Sequence, residues 1–450
     1  MGTHIEEGPM KRLRATVFVL LALGAAVAGP AVAGDPGPAT LRALVVTGGH
    51  DFEPQFFPLF EAPQFRAGPS QEEPAISCVF QSHGREPDPL ATIAGPEGAS
   101  FGVFVFYDMW QPIREEEKAA LARAVLSGKG LVVLHHALAN YQDWPEYRRM
   151  VGGRYYIAER VEGGAKIPPS TYQHDLDLRV KILDRDHYIT SGLDDFDIHD
   201  EAYGGFYVDP AAHALLGVEH PKSGPVVGWT RPYGKGRVAA IQLGHGRDAY
   251  ENPNFRTLLA RAIRWAARRT PEDLARKSIL SGRDLSGWKA EGNARFAFED
   301  GILVGRQGAG GAAGDLFTEA SWGDFDCEVV WATDFPGNSG IWFRHVNPSK
   351  AYQADILEWK NPIAYSGSVY RPGKLFAAIN DDPSIVSRDG WNAFRIVARG
   401  DRIAVWLNGR KVADFRDDLS ERGRFGIQVH EGADFARMAI RVAELRVGSL

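Results

Sequence analysis

Short apolar runs alternate with helical periodicity in the first half of the chain. Three continuous apolar runs are Arg42 to Thr47, Phe101 to Tyr107 and Gly130 to Leu134. Between the last two, Glu115 to Leu126 has the spacing of an amphipathic helix. Such an alternation is typical of a parallel sheet covered by helices. The pattern therefore predicts an α/β domain over residues 41–267, closed by a helix over Asn254 to Ala267.

The second half has a different pattern, in which apolar and polar residues alternate at period two. Examples are Phe325 to Trp331, Trp391 to Val397 and Arg402 to Leu407. Asn408-Gly409 is a strong signal for a tight hairpin. Many short strands with Gly and Asn turns predict an antiparallel β-sandwich or jelly roll over residues 278–450. The charged segment 268–277, which contains Pro271, is the predicted linker.

Histidines and carboxylates follow several of the predicted strands. The candidate residues are His50, Asp51, Asp108, His135, His136, Asp200, Glu201 and His245. In open α/β sheets the ligand site lies outside the carboxyl ends of the strands, so we expect these side chains to line one cleft. The remaining histidines of the first half, His174, His187, His199, His213 and His220, are predicted to be surface or loop residues.

Three interpretations of this cleft remain open. Imidazole and carboxylate groups can transfer protons or bind sugar near neutral pH. They can also bind a divalent metal ion when they converge, and such an ion is the cofactor that these residue types suggest. None of the pairs has the close helical spacing of a strong metal motif. The same residues could instead cap loops and bind backbone groups at the strand ends.

The N-terminal segment has the features of an export signal. Lys11, Arg12 and Arg14 precede an apolar run over Ala15 to Val27, and Ala31-Val32-Ala33 has the pattern of a cleavage site. We therefore expect residues 1–33 to be removed and the protein to be periplasmic or secreted. The run is short for a membrane span, so no stable span is expected after cleavage.

The cysteine content and the net charge restrict the possible functions further. Cys78 and Cys327 fall in different predicted domains, so we expect both to be free and buried. The net charge of −6 over 450 residues gives no indication of nucleic-acid binding, which usually needs a basic face. A neutral or weakly charged substrate fits this balance better, and eleven Trp and fourteen Tyr supply aromatic faces suited to cores and to sugar rings.

Motifs of the first half occur in a recognisable order. They are Gly48-Gly49-His50-Asp51, Leu134-His135-His136, Asp200-Glu201-Ala202-Tyr203, and Gly236-Arg237-Val238 leading to Leu243-Gly244-His245. This order resembles the ThuA-like (trehalose utilisation) family. The resemblance implies a fold similar to class I glutamine amidotransferases, with a flavodoxin-like parallel sheet and helices on both faces. Those enzymes carry a nucleophilic cysteine on the turn after a central strand, where this chain has His135 and His136. Amide hydrolysis through a thioester is therefore not expected.

The second half resembles the 3-keto-disaccharide hydrolase family. The motifs are Ser281 to Trp288, Glu299-Asp300-Gly301, Gly337 to Arg344, Trp391-Asn392, Asn408-Gly409 and Gly426 to His430. The resemblance implies a concanavalin-like sandwich with a carbohydrate-binding surface. The family has an acidic residue near each end of the string Tyr352 to Glu358, and this chain has Gln353 at the first position. We interpret Asp355 as the displaced acid. The family's closing element matches only loosely around Arg437.

The resemblance implies a reaction on a sugar with a ketone at C3. A base removes the proton on C2, the C1 aglycone is eliminated, and water adds to the product. The catalytic candidates are Glu358 or Asp355 as base or metal ligand, Arg344 as cation and His430 as proton carrier. The substrate-binding candidates are Asn338, Ser339, Trp342 and Gln428. Because strand alternation puts Asp355 and Glu358 on opposite faces, we expect only one of them to serve.

The leading hypothesis is an exported enzyme that cleaves 3-keto-glycosides in its second domain. One alternative is a noncatalytic glycan-binding protein with a lectin-like sandwich, which Gln353 favours. The other alternative places catalysis in the ThuA-like cleft and sugar binding in the sandwich. Arg344, Glu358 and His430 favour the leading hypothesis.

Overall fold

The computed structural model describes residues 40–68 and 73–450. The predicted signal peptide over residues 1–33 lies outside the described residues, so cleavage and export stay predictions. Within the described residues, no helix has the length and apolar character needed to cross a membrane.

The first half of the described chain alternates strands and helices. Its strands are β1 Leu41–Gly48, β2 Ile76–Ser82, β3 Val103–Asp108, β4 Gly130–Leu134, β5 Gly153–Arg154, β6 Arg160–Glu162, β7 Ala165–Ile167, β8 Thr171–Ile182, β9 Phe196–Gly204, β10 Tyr207–Val208, β11 His213–Val218, β12 Val226–Tyr233 and β13 Gly236–Ile241. Its helices are α1 Phe56–Leu59, α2 Pro89–Ala94, α3 Glu115–Leu126, α4 Pro145–Val151, α5 Gly246–Glu251, α6 Pro253–Ala266 and α7 Pro271–Ala275. A 3-10 turn over His135–Ala139 follows β4 directly.

The main sheet of this half has the strand order β2-β1-β3-β4-β13-β12-β11-β8-β9. Its first five strands are parallel and repeat the flavodoxin-like order 2-1-3-4-5, which confirms the predicted layout. The other four extend it in antiparallel fashion, so the sheet is mixed rather than wholly parallel. The change occurs because a tight turn at Gly234 joins β12 to β13, and such a turn can pair strands only antiparallel.

Helices cover both faces of the parallel strands. Strands β3 and β4 are buried along their whole length, as expected for parallel strands between two helical layers. Val45 and Val105 face a core that includes residues of α1, α5 and α6, whereas Leu44 and Phe104 face a core that includes residues of α2, α3 and α4. This layering brings the carboxyl ends of β1, β3, β4 and β13 to one edge of the sheet.

The second half forms two antiparallel sheets. Its strands are β14 Lys277–Ser278, β15 Trp288–Gly292, β16 Arg295–Glu299, β17 Ile302–Arg306, β18 Gly314–Thr318, β19 Phe325–Thr333, β20 Asn338–Asn347, β21 Lys350–Lys360, β22 Ile363–Tyr365, β23 Val369–Arg371, β24 Leu375–Ala378, β25 Asn392–Arg399, β26 Arg402–Leu407, β27 Arg410–Arg416, β28 Arg424–Val429 and β29 Ala439–Ser449. One sheet has the order β16-β17-β29-β19-β25-β26-β27 and the other β15-β18-β28-β20-β21-β23-β24. A shared core that includes Trp331, Phe343 and Leu445 confirms the predicted sandwich. Asn408 and Gly409 form the turn between β26 and β27, both with positive φ.

The segment predicted as linker, residues 268–277, contains α7 and packs closely. Asp273 of this helix is buried and accepts hydrogen bonds from Arg237 of β13 and from the hydroxyl of Thr270. Arg237 and Arg268 each contact the carboxylate of Glu328 in β19 at 2.9 Å. Burial alone would raise the pKa of Glu328, but these arginines hold it well below its usual range. The segment therefore joins the two halves through a buried ion network.

The two cysteines differ in burial. Both are free, and Cys327 is buried as expected. Cys78 is only half-buried, which corrects the expectation for this residue, and burial raises the pKa of its thiol to about 12.

Candidate functional site

The carboxyl edge of the parallel strands brings together residues that are far apart in sequence. His50 follows β1, His135 begins the turn after β4, and His245 follows β13. Strand β9 adds Asp200 and Glu201 from the antiparallel part of the sheet. The backbone at His135 has φ +48°, a left-handed conformation that non-glycine residues rarely adopt. This turn points the imidazole along the sheet edge.

His135, Glu201 and His245 converge, and we refer to these three residues as the His-Glu-His cluster. His135 Nε2 lies 2.8 Å from Glu201 Oε2 and 3.2 Å from His245 Nδ1. His245 Nδ1 lies 3.4 Å from the same Glu201 oxygen. The Tyr203 hydroxyl is 3.0 Å from His135 Nε2. One ligand atom from each cluster residue thus lies within 4.8 Å of the others.

Hydrogen bonds behind the cluster fix its geometry. His135 Nδ1 is 2.6 Å from the carbonyl oxygen of Gln242, and the Gln242 amide donates to the carbonyl of Glu201. Asp200 accepts hydrogen bonds from the backbone N–H groups of Gly244, His245 and Glu201. Burial raises the pKa of Asp200 to about 6, against the opposing influence of His135 and these N–H donors. Asp200 therefore holds the loop that carries His245.

The charges of the cluster depend on burial and on one another. Burial and the neighbouring His135 lower the pKa of His245 to about 4, so its imidazole is neutral at pH 7. Burial alone would raise the pKa of Glu201, but the hydrogen bond with His135 and the charges of the neighbouring histidines lower it. Glu201 is therefore an anion beside the neutral imidazole of His245.

His136 and His50 stack beside the cluster. The His136 ring lies 4.6 Å from that of His50 and 4.3 Å from that of Tyr107, measured between centroids. Neither ring nitrogen of His136 has a hydrogen-bond partner among the described residues. Burial and the neighbouring histidines hold the pKa of His136 well below its usual range. His50 is exposed, and its Nδ1 lies 2.6 Å from the carbonyl oxygen of Asp51.

A cleft of about 500 Å³ opens in front of the cluster. Its lining includes Asp51, Tyr107, His174, His199, Glu201 and His245. His174 and His199, which were predicted to be surface or loop residues, are exposed strand residues that line this cleft. His174 Nδ1 lies 3.4 Å from Glu201 Oε1, and His199 pairs with Asp177 at 2.8 Å. A register shift in β8 between Gln173 and Leu176 places His174 here, and no alternation pattern in the sequence reveals it.

Asp108 lies outside the cleft. Its buried carboxylate lies 3.0 Å from His83 Nε2 and accepts a hydrogen bond from Asn140 at 2.7 Å. Its neighbour Tyr107 faces the cleft, and strand alternation turns Asp108 to the opposite face of the sheet. The structure therefore does not bring Asp108 to the other predicted cleft residues.

The sandwich carries a second group of polar residues on the outer face of one sheet. Asp315, Gln428, Gly340 and Asp355 form a row across four neighbouring strands. The Trp342 indole donates to Asp315 Oδ1 at 2.7 Å. When the side-chain amide of Gln353 is oriented with its nitrogen toward Asp355, this nitrogen lies 2.9 Å from Asp355 Oδ1. We refer to this surface as the sandwich face.

Two glycines make room for this arrangement. A Cβ on Gly340 would lie 2.4 Å from the side chain of Gln353, so Gln353 folds into the space that the glycine leaves. A Cβ on Gly426 would lie 2.4 Å from the ring of Phe317, which packs beside Trp342. Burial raises the pKa of Asp355 well above its usual range. Gln353 thus contacts Asp355, and the interpretation of Asp355 as the displaced acid stays a prediction.

The other predicted binding residues contribute less to the sandwich face. Ser339 points to the interior, where its hydroxyl donates to the carbonyl of Gln428 at 2.6 Å. Asn338 is buried at the start of β20. His430 lies just past the end of β28, half-buried, with Nδ1 2.8 Å from the carbonyl of Glu431.

Arg344 and Glu358 do not reach the sandwich face. A register shift after Trp342 and a φ of +48° turn Arg344 away from it. The buried guanidinium donates to the carbonyls of Gly323 and Gly400 and to Asp324. His345 takes the place beside Trp342.

Glu358 follows the alternation of β21 to the face opposite Asp355 and pairs with Arg388. Arg344, the predicted cation, and Glu358, one of the two predicted bases, therefore both lie away from the sandwich face.

Comparison with known proteins agrees with this two-part structure. Residues 98–266 match the ThuA model, described as trehalose utilisation, and residues 275–445 match the model of the 3-keto-alpha-glucoside-1,2-lyase-like domain. No curated protein sequence matches the chain.

Several solved structures resemble parts of the chain. A ThuA-like protein from Parabacteroides merdae has 17% identity and a TM-score of 0.42, with 51% of this chain and 90% of that chain covered. A protein of unknown function with a galectin-like fold from Bacillus subtilis has 16% identity and a TM-score of 0.32, with 39% and 95% covered. The carbohydrate-binding module CBM66 from Bacillus subtilis has 20% identity and a TM-score of 0.26, with 36% and 96% covered.

The two matched regions follow the order that the motifs predicted. Strands β1 and β2 precede the first region and complete its sheet. Both family descriptions concern carbohydrates. The chain is therefore a carbohydrate-related protein in which a ThuA domain is followed by a 3-keto-alpha-glucoside-1,2-lyase-like domain.

Proposed function

We propose that this protein is an enzyme that cleaves 3-keto-glycosides and that the reaction takes place in the cleft of the ThuA domain. The observation that carries the proposal is the convergence of His135, Glu201 and His245, two of which, Glu201 and His245, line a cleft of about 500 Å³. A cleft with converging polar groups is where catalysis is most readily supported. The match of the second domain to a 3-keto-glucoside lyase-like family supports the substrate class.

The sandwich is the weaker candidate for the chemistry. The buried Arg344 side chain is held by structural partners, and Glu358 lies on the opposite face with Arg388. The sandwich face instead offers an aromatic ring at Trp342 beside the side chains of Gln353 and Asp355. Aromatic faces with adjacent hydrogen-bonding groups suit sugar rings. We assign sugar binding to this face.

The proposed reaction starts from the acidity that a C3 ketone gives to the C2 proton. A base accepts this proton, and the C2–H electrons form an enolate with the charge on the C3 oxygen. The C1–O bond then breaks, the aglycone leaves with its oxygen and gains a proton, and a C1–C2 double bond forms. Water adds to C1 while C2 regains a proton. The net result is hydrolysis.

His50 is the proposed base. Its Nδ1 contacts the carbonyl oxygen of Asp51 at 2.6 Å, so this nitrogen holds the ring proton and Nε2 is left to accept another. His50 is exposed, and its ring lies 6.4 Å, measured between centroids, from that of His245, which lines the cleft. We place the C3 oxygen of the substrate beside the neutral imidazole of His245, on the inner side of the sugar.

Release of the aglycone from a chromogenic 3-keto-glucoside tests the proposal. We expect His50→Ala to lower kcat/KM by about 100-fold or more, the usual scale for loss of a general base. Glu358→Gln is the matched control and is expected to retain activity. Activity that is retained in His50→Ala but lost in Asp355→Asn would indicate that the reaction takes place in the sandwich instead.

A noncatalytic glycan-binding role is the second candidate, and the buried Trp342, Gln353 and Asp355 group favours it. Absence of turnover by the unmodified protein, together with saturable binding of the same glycoside, would support this role over the enzyme.

A further inference from the structure

We propose that the His-Glu-His cluster is a binding site for one divalent transition-metal ion and that Zn²⁺ fits its donor atoms. The argument begins with His135, whose Nδ1 contacts the carbonyl oxygen of Gln242 at 2.6 Å. A carbonyl only accepts hydrogen bonds, so Nδ1 must carry a proton. Without a second proton, the ring presents the lone pair of Nε2 to Glu201 Oε2 at 2.8 Å. Two acceptors at this distance need a positive centre between or beside them.

A single proton on His135 Nε2 does not satisfy the whole cluster. The same nitrogen lies 3.2 Å from His245 Nδ1 and 3.0 Å from the hydroxyl of Tyr203. Glu201 Oε2 also lies 3.4 Å from His245 Nδ1. One proton can make one strong hydrogen bond, whereas a metal ion attracts all three lone pairs at once. The convergence is therefore better explained by a shared cation.

The spacing of the three atoms matches a tetrahedral site. Zinc bonds to nitrogen and carboxylate oxygen are about 2.0–2.2 Å, which places neighbouring ligand atoms of a tetrahedron roughly 3.4 Å apart. The observed separations are 2.8 Å, 3.2 Å and 3.4 Å. Two imidazoles and one carboxylate are also the protein ligands of a common type of catalytic zinc site.

The surroundings support a metal site. Metal-ligating histidines commonly donate their other nitrogen to a carbonyl or carboxylate, as His135 does to Gln242. Gln242 also binds the backbone of Glu201, and Asp200 holds the N–H of His245. In the described part of the chain, no other three His, Cys, Asp or Glu side chains come this close together.

The remaining coordination position faces the cleft. His174 Nδ1 lies 3.4 Å from the second oxygen of Glu201, and its side chain is 47% exposed. It can approach the ion or leave this position to a substrate oxygen. If the proposed reaction holds, an ion here would offset the charge of Glu201 and polarise the C3 oxygen of the substrate. This last role rests on the proposed function, whereas metal binding itself does not.

Calorimetric titration of the chelator-treated, full-length protein with Zn²⁺ tests the site directly. We expect one ion per chain. His245→Gln and Glu201→Gln should each weaken binding by more than about 100-fold, since even loss of an outer partner costs roughly 10- to 100-fold. Circular dichroism verifies that each variant is folded. His199→Gln is the matched control, because His199 lines the same cleft but pairs with Asp177, and its affinity should not change.

Co²⁺ provides a spectroscopic probe that does not depend on activity. We expect intense visible absorption bands typical of tetrahedral Co²⁺ in the unmodified protein and their loss in His245→Gln. Failure of the folded protein to bind Zn²⁺ or Co²⁺, or equal binding by His245→Gln, would overturn the inference. Zn²⁺ binding without turnover would refute the proposed function and leave the metal site standing. Turnover that a chelator does not reduce, in a protein that binds no Zn²⁺, would refute the metal site and leave the proposed function standing.

Discussion

The ThuA cleft and the sandwich face assemble their side chains in opposite ways. In the cleft, His135 and His245 follow the carboxyl ends of the adjacent strands β4 and β13, and Glu201 meets them from within β9, although long stretches of chain separate the three. On the sandwich face, residues of one continuous motif separate, since Trp342 stays on the face and Arg344 turns away from it. The comparison shows that proximity in sequence is a poor guide to a site on strands.

The largest expected effect is on stability, and it tests whether Arg344 has a structural or a catalytic role. We expect Arg344→Met to lower the free energy of unfolding by about 3 kcal/mol, because the buried guanidinium is removed and Asp324 and two partly buried carbonyls lose their donor. Urea unfolding measures this change. The control is Arg437→Met at an exposed position, which should lower the free energy of unfolding by less than about 0.5 kcal/mol. An Arg344→Met variant that is fully stable but inactive would indicate instead that Arg344 has a catalytic role.

The next effect concerns the ion network between the two regions. The lowered pKa of Glu328 means that its carboxylate stabilises the fold above the unfolded-state pKa of about 4.3, and this stabilisation is lost as pH falls below it. We expect the unfolding free energy to decrease between pH 6 and pH 3, and to decrease less in Glu328→Gln. Urea unfolding across this pH range measures both slopes. Parallel slopes for the two proteins would contradict the assignment.

A smaller effect tests sugar binding on the sandwich face. We expect Trp342→Ala to raise KM about 3- to 10-fold with little change in kcat, because aromatic contacts contribute roughly 0.5–1.5 kcal/mol beyond their buried area. Steady-state kinetics with the 3-keto-glucoside separate the two constants. Trp406→Ala is the control, since Trp406 lies on the other sheet beneath Arg395 and Lys411. A fall in kcat alone would place Trp342 nearer the reacting atoms.

The smallest effect comes from the glycine that makes room for Gln353. In Gly340→Ala, the added methyl would push the flexible Gln353 side chain away from Asp355. We expect KM to rise less than in Trp342→Ala and thermal stability to change little. An unchanged KM would indicate that the contact of Gln353 with Asp355 does not contribute to sugar binding.

Regular elements were the most predictable part of the fold. The helix over Glu115–Leu126 and the strand over Gly130–Leu134 have the predicted bounds, because periodicity and burial act together there. The antiparallel extension by β8, β9, β11 and β12 was not predicted, since strand pairing depends on distant segments. Of the predicted cleft residues, Asp51, Asp200, Glu201 and His245 line the cleft.

Side-chain directions were the least predictable part. His174 and Arg344 both lie at register shifts, where the alternation of the strand fails. Nothing in their sequence context marks these irregularities, because the neighbouring residue Asp175 and Arg344 itself adopt positive φ without being glycine. Asp108 was misplaced for the simpler reason that one residue of strand separates the two faces of the sheet.

Strand β13 has a consequence for how separable the two domains are. At its amino end Arg237 binds Glu328 of the sandwich, and beyond its carboxyl end lies His245. About 20 Å of strand thus connects the domain contact to the cleft. An isolated ThuA domain would expose Arg237 and Arg268 without the Glu328 carboxylate. A sandwich transferred from another protein of this architecture would therefore need an acid at the Glu328 position. Without that acid, Arg237 would lose its ion pair at the amino end of the strand that leads to His245.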